Sequence, residues 1–432
     1  MIEWLPIVTI LLALAAGLWS VHWIAAKRAW PVEWSRKVIH VTMGSVCAIF
    51  PWIFQEPISV WITALGSVLM VFAVRVVPVL RRGMGDGLLS ISRVSFGDLL
   101  FAPAVAAVFY WSDDRWAHYL IPVLLLTLAD AAGALVGVRY GIHQYQARTG
   151  KKTIEGSSAF FVAAFAVVAS VDFFFNGQTL VSSLLVAFIL ACLTMMVEAV
   201  ADRGFDNLTI PVAGYFLYDQ LHQKADDFLY WQILVLVLLL VLLGICHRKT
   251  TLTGGALQAA ILLAYGCHAL GDWRMMLPLL LVFAMHLWTT HRYQIGSSLQ
   301  HGLSIIAALS VPTLLCLIAY QRDRIDLAVC HWAMVAIAGT HICLMARATV
   351  YRFKISQFIG WAFVKGLLCV LILIASMSLT IPYQRLGIFC GLLLGCLFMH
   401  EFSLRRFNAD GKWILYERSL WCVLISFIMA IL

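Results

Sequence analysis

Charged side chains are scarce in this chain. Asp, Glu, Lys and Arg make up 12% of its 432 residues against 62% hydrophobic residues, and the mean hydropathy is +0.91. That balance excludes a water-soluble globule with an ordinary polar surface. Eleven cysteines are present, but none stands in a C-x-x-C pair or at a metal-type spacing, so they read as small apolar packing residues. The first apolar segment lacks both a basic leader and a convincing small-residue cleavage site, and it reads as a retained helix. The nucleotide signatures of soluble enzymes are missing too. "RTGKKT" (148–153) has a Gly-Lys pair without the glycine five positions earlier that a Walker A loop needs. No kinase-type Gly-rich loop with H-R-D and D-F-G partners occurs.

Apolar runs of spanning length recur instead from end to end, each able to cross about 30 Å of hydrocarbon as a helix. The fold class expected is an all-α polytopic integral membrane protein of about sixteen transmembrane helices. They fall at 5–26, 38–54, 58–74, 97–111, 118–138, 156–175, 179–199, 208–219, 228–246, 252–270, 275–290, 299–320, 327–345, 358–380, 386–402 and 419–432. The segments 208–219 and 419–432 are short for a full crossing and read as re-entrant or tilted.

Basic residues test the alternation, because they collect in cytoplasmic loops. With the N-terminus outside, the loops near 27–37, 75–93, 139–155, 200–207, 247–250, 291–298, 346–357 and 403–418 are cytoplasmic. They hold 23 of the 30 Lys and Arg; six lie in the opposite loops, and Lys365 lies within a span. The net charge of +8 then reads as topology and anionic-lipid contact rather than nucleic-acid binding. Without a transit-type or cleavable start, the membrane expected is the bacterial cytoplasmic one, with the endoplasmic reticulum as the alternative.

Carboxylates are unevenly spread, 16 of 22 preceding residue 247. Chemistry is therefore expected in residues 1–246, with 247–432 as an additional transmembrane domain of unassigned function. Asp98, Asp130, Glu198, Asp202 and Asp206 all fall near expected cytoplasmic ends of spans. A carboxylate inside a span costs about 2.5–3.5 kcal/mol, so it needs a partner or a function. Gly133, Ala134 and Gly137 share the helical face of Asp130, where small residues admit either another backbone or a phosphate.

Arg139, Arg148, Lys151 and Lys152 follow, then Thr153, Glu155, Gly156, Ser157 and Ser158 at the start of the next helix. Hydroxyls, a glycine and free N–H groups at a helix start, with lysines beside them, suit an anion. Facing carboxylates add the means to hold Mg²⁺, which takes one or two carboxylates plus phosphate oxygens.

Four segments in order carry a family resemblance. "SRKVIHVTMG" (35–44) matches R-K-x-x-H-x-x-x-G through Arg36, Lys37, His40 and Gly44. "LADAAGALVGVRYG" (128–141) matches D-x-x-A/G-x-x-x-G-x-x-x-G, "GKKTIEGSSAFF" (150–161) matches K-K-T-x-E-G-S, and "VEAVADRGFDNLTIP" (197–211) matches E-x-x-x-x-x-G-x-D-N-x-x-I-P. Together they resemble the CTP-dependent polyprenol kinases, the family of dolichol and phytol kinases, related to the phosphatidate cytidylyltransferases. The P-G-H-G-G-x-x-D-R signature of the cytidylyltransferases is missing, and Asp206-Asn207 with Ile210-Pro211 stands in its place.

The resemblance implies transfer of a γ-phosphoryl group from a nucleoside triphosphate, CTP in the known members, to a long-chain isoprenoid alcohol in the bilayer. It implies that Asp130, Glu198 and Asp206 are the catalytic carboxylates, Asp130 with Glu198 or Asp206 holding Mg²⁺ and one of the three serving as base. Lys151, Lys152, Thr153, Gly156 and Asn207 are expected to contact the nucleotide, with Glu155 orienting a lysine or the metal. Arg36, Lys37 and His40 share a helical face, from which they would contact substrate or product phosphate. Arg81 and Arg82 read as topology charges.

The competing readings are CDP-lipid synthesis and a transporter, whose binding residues gather near the midplane of repeated halves. Beyond residue 247 no family is resembled. Lys365 there needs a partner, an aqueous lining or snorkelling, and His286, His291, His331 and His341 read as packing residues.

Overall fold

The computed structural model describes residues 1–77, 96–147, 150–292, 303–352, 360–377, 383–406 and 412–431. Arg81, Arg82 and Arg148 lie outside these. The structure is 85% helical, and among the described residues eight helices are long and apolar enough to cross a membrane. Four further apolar helices are shorter. The protein is an all-α polytopic membrane protein, as a chain so poor in polar residues must be when every backbone N–H and C=O has to be satisfied within the lipid.

Two compact units divide the chain, Met1–Leu236 and Val237–Leu432. The first begins with α1 (Trp4–Lys27), α2 (Val32–Ala48), the single turn α3 (Phe50–Ile53) and α4 (Pro57–Val76). It continues with α5 (Gly97–Ser112), α6 (Trp116–Leu124), a π-helical turn (Leu125–Ala129) and α7 (Asp130–Tyr140). The strands β1 (Gln144–Gln146) and β2 (Lys151–Thr153) precede α8 (Ile154–Asn176), α9 (Leu180–Val200), α10 (Asp206–Leu221) and α11 (Asp226–Cys246), which carries the chain into the second unit.

The K-K-T segment thus departs from the open loop that the sequence suggests. It pairs antiparallel with β1, Gln144 opposite Thr153 and Gln146 opposite Lys151. The hairpin is tied to α8 by Tyr145, whose hydroxyl is 2.8 Å from Ser157 Oγ.

In α1, Leu5, Val8, Leu12 and Trp19 stay exposed while Ile7, Ile10, Leu14 and Leu18 are buried, so one face meets lipid and the other the protein. Helix α9 lies at the centre of the unit, with 56% of its apolar window buried. Asp172 of α8 is fully buried there. It accepts hydrogen bonds from Ser183 Oγ of α9 at 2.6 Å, from the Tyr218 hydroxyl of α10, and from Asn176 Nδ2 at 3.3 Å. A carboxylate in lipid surroundings is retained when its lone pairs are filled in this way.

The second unit comprises α12 (Gly254–Leu270), α13 (Met276–Arg292), α14 (Leu303–Gln321), α15 (Leu327–Arg352), α16 (Gly360–Ser376), α17 (Tyr383–Arg406) and α18 (Lys412–Ile431). Its centre is α15, with 83% of the apolar window buried. Ion pairs lie within it: Arg347 Nε is 2.6 Å from Glu401 Oε2, and His331 Nε2 is 3.0 Å from Asp272 Oδ1. Lys365 places its ammonium 5.2 Å from the centroid of the Trp288 ring. Helix α18 begins seven residues before the expected apolar segment; Glu417 there accepts from Trp421 Nε1, one turn on, at 3.2 Å.

Candidate active site

Asp130 is the first residue of α7, set there by the π turn that follows Pro122 of α6. Such single π turns often mark functional positions. Lys37 reaches Asp130 from α2, with Nζ 2.6 Å from Oδ2 and side chains 6% and 5% exposed. One turn further along α2, His40 donates from Nε2 to the Leu126 carbonyl oxygen of the π turn at 2.8 Å, and the same nitrogen is 3.6 Å from Asp130 Oδ2. Because Nε2–H is committed to a carbonyl, Nδ1 is the acceptor nitrogen of the neutral ring. Gly44 lets α2 lie this close: a Cβ there would stand 2.0 Å from Thr127 Oγ1.

The second ion pair joins the hairpin to α9. Lys152 Nζ is 2.6 Å from Glu198 Oε1 and also donates to the Glu198 carbonyl oxygen. Burial works against the Lys152 ammonium, but the Glu198 charge overrides it and holds the lysine above its ordinary pKa. Lys151 is exposed; as a strand neighbour of Lys152 its side chain leaves from the opposite face.

Asp206 opens α10 after a tight loop in which Arg203 and Gly204 adopt positive φ, 52° and 87°. Its Oδ1 accepts from the Asn207 N–H at 3.0 Å. Burial, and next the negative charge of Asp130, push the Asp206 carboxyl above the usual carboxylate range; Lys37 and Lys152 oppose this. Asp130, Glu198, Asp206, Lys37, Lys152 and His40 therefore form one electrostatic cluster, three carboxylates against two ammonium groups.

Asp130, Glu198 and Asp206 share this cluster without all meeting at one point: among the described residues, the group whose ligand atoms all lie within 4.8 Å of one another is His118, Asp219 and His222. Two of the three carboxylates are drawn instead to lysines, since a buried charge seeks its nearest opposite. Glu155 is engaged by the hairpin. Its carboxylate accepts from the N–H groups of Ile142 and His143 at 3.1 and 3.2 Å and lies 2.6 Å from His143 Nδ1, fastening the hairpin to α8. Gly156 lies where α7 and α8 pack closely. Its N–H is capped by Thr153 Oγ1 at 3.1 Å, and a Cβ on it would come 2.8 Å from the Gly133 carbonyl oxygen and 3.1 Å from Gly137 Cα. The small-residue face beside Asp130 admits a helix backbone.

The cluster opens onto a cavity between α1, α2, α4 and α5. Arg36, Lys37, His40, Asp98, Asp206 and Asn207 line its polar end, and Leu14, Met43, Phe50, Val60, Phe101 and Val105 are among its apolar walls. Arg36 is paired with Glu33 at 2.9 Å and Asp98 with Arg75 at 2.8 Å. The ring of Phe101 stands edge-on to His40, centroids 5.3 Å apart. Sequence reasoning placed Asp98 near a span end but had no signal for the cavity.

It also missed the His118, Asp219 and His222 group, whose only trace is the i, i+3 spacing of Arg115 with His118 and of Asp219 with His222. This group lies at the far end of α10 from Asp206, about 20 Å along the helix. The Arg115 guanidinium already occupies it, 2.8 Å from Asp219 Oδ1 and 3.0 Å from His118 Nε2.

Comparison with known proteins gives one informative match. Over 187 residues, 43% of this chain and 77% of the relative, the sequence is 29% identical to phytol kinase of Synechocystis sp.. No protein-family model matches the chain. No solved structure matches it either.

Proposed function

From the premise that this chain is a phytol/polyprenol kinase-like protein, which its similarity to phytol kinase supports, we propose that it phosphorylates an isoprenoid alcohol held in the bilayer, with CTP as donor. The observation that carries the reading is a cavity whose apolar walls end at Lys37, His40 and Asp206, in a cluster that continues to Lys152 on the hairpin. A prenyl tail would fill the cavity, and the two lysines would meet the phosphates.

In the transfer, the hydroxyl oxygen bonds to the γ-phosphorus, the bond from that phosphorus to the β–γ bridging oxygen breaks, and the nucleoside diphosphate leaves. The hydroxyl proton passes to Nδ1 of His40, the ring's acceptor nitrogen. Phosphoryl transfer asks for positioning and charge neutralisation more than covalent chemistry. Lys152 supplies a fixed ammonium for the phosphates, and Lys37 does so beside the hydroxyl end.

Mg²⁺ suits the site: Asp206 and Asp130 repel each other within a cluster that has one more carboxylate than ammonium, and a divalent cation needs only one or two carboxylates. Those two residues would hold it, and when bound it neutralises charge on the phosphate oxygens. Thr153, Glu155 and Gly156 act on the nucleotide at one remove, by holding the hairpin that presents Lys152. The active site would face the cytoplasm, where the nucleotide is found. Incubating the protein in liposomes with Mg²⁺, phytol and either γ-labelled CTP or γ-labelled ATP tests the donor. Label in phytyl phosphate from CTP alone is expected; equal use of ATP would overturn the donor assignment.

A further inference from the structure

The helices that line the cavity also set its depth. Lys37 to Cys47 on α2, and Val71 to Val60 on α4, each cover about 15 Å at the helical rise. The lining at that depth is tightly packed. Cys47, Phe50, Val60 and Val105 are 5, 3, 1 and 1% exposed. Phe50 stands edge-on against Phe54, centroids 5.2 Å apart, and the Tyr119 hydroxyl donates to the Cys47 carbonyl oxygen at 2.8 Å.

Thr63 and Ser67 also line the wall, but their hydroxyls donate to carbonyl oxygens of their own helix, Ser59 at 2.8 Å and Thr63 at 2.9 Å. They therefore offer an occupant no unsatisfied donor. The other described side chains that line the cavity below His40 are apolar.

An extended chain advances about 1.2 Å per bond, as polypeptide does at about 3.5 Å for three bonds, so about 15 Å holds about twelve bonds, or three isoprene repeats. We infer that this cavity is the tail site of the acceptor alcohol, that it takes tails of about three to four isoprene repeats, and that Phe50 at its floor limits their length. The inference rests on the lipid-kinase reading and narrows its substrate. A longer tail must leave the cavity and give up the burial that holds it, so longer alcohols are poorer substrates.

The test gives full-length protein in liposomes, with Mg²⁺ and the nucleotide donor, a series of geraniol, farnesol, geranylgeraniol and undecaprenol. kcat/KM is expected to peak at farnesol or geranylgeraniol and to fall about tenfold or more for undecaprenol. Phe50→Ala should raise the undecaprenol-to-geranylgeraniol ratio about tenfold. Ala64→Leu, which fills the cavity part-way down α4, should move the optimum to a shorter alcohol, and it carries the test if Phe50→Ala fails to fold.

A flat length profile that neither variant changes would overturn the tail site while leaving the kinase reading intact. If no alcohol is phosphorylated, a photoreactive geranylgeraniol analogue reads the site without chemistry. Crosslinks at Cys47–Phe50 and Val60–Ala64 that farnesol competes away and undecaprenol does not would uphold the tail site, and their absence would overturn it.

Discussion

Lys37 and Asp130, 93 positions apart in the sequence, meet as a buried pair with Nζ 2.6 Å from Oδ2. Charges taken this far out of water are tolerated only together. Asp130→Ala leaves the ammonium bare, so it is expected to abolish transfer and to lower stability by about 3–5 kcal/mol. Lys37→Met combined with Asp130→Leu should recover most of that stability and none of the activity. Thermal unfolding in detergent, beside a transfer assay, separates the two effects.

Lys151 and Lys152 are adjacent in sequence, and the strand sends them to opposite faces. Lys152→Ala is expected to slow transfer about a hundredfold, the scale of losing one fixed donor to developing charge. Lys151→Ala should cost less than about fivefold, as an exposed charge screened by salt. Equal losses in steady-state kinetics would contradict the assigned geometry.

Chelation of divalent cations with EDTA should stop transfer, and added Mg²⁺ should restore it. Asp206→Asn should raise the Mg²⁺ concentration for half-maximal rate by about tenfold or more. Acid acts on the same carboxylate. Because burial and Asp130 push the Asp206 pKa up, it loses its charge at a higher pH than an ordinary aspartate as the solution is acidified. The rate at fixed Mg²⁺ should fall correspondingly early on the acid side, and more Mg²⁺ should recover it. A rate–pH profile measured at two Mg²⁺ concentrations checks this.

Asp172 joins α8, α9 and α10 through Ser183 and Tyr218. Asp172→Ala leaves two buried hydroxyls without their acceptor, and a loss of about 2–4 kcal/mol is expected. Transfer per folded molecule should be unchanged, since the residue is not part of the cluster. Active-site titration of the surviving fraction distinguishes lost folding from lost catalysis.

The residues of the cluster were legible for different reasons: Asp130, Glu198 and Asp206 because carboxylates at the ends of spans are costly, Lys152 as a lysine at a helix start, and Lys37 and His40 only through the family resemblance. Their pairing was not. Which lysine meets which carboxylate depends on how α2, the hairpin and α9 pack, and nothing local encodes it. The three-residue strands are too short for a periodic signal, so Lys151 and Lys152 read alike and Glu155 read as orienting a lysine or the metal instead of fastening a hairpin. The cavity was hidden for a different reason. An apolar side chain facing lipid, a neighbouring helix or a substrate tail looks the same along the sequence, so Phe50, Val60 and Val105 carried no mark of their position.

The most direct test of the central claim follows two labels at once. CTP labelled at the γ-phosphorus in one reaction and at the α-phosphorus in another is supplied with Mg²⁺ and phytol in liposomes, beside Asp206→Asn protein. Extracted lipid carrying γ label only, with far less of it from the variant at the Mg²⁺ concentration that half-saturates the native chain, is the predicted result. Lipid carrying α label, or γ label that Asp206→Asn transfers as well as the native chain, would contradict the account.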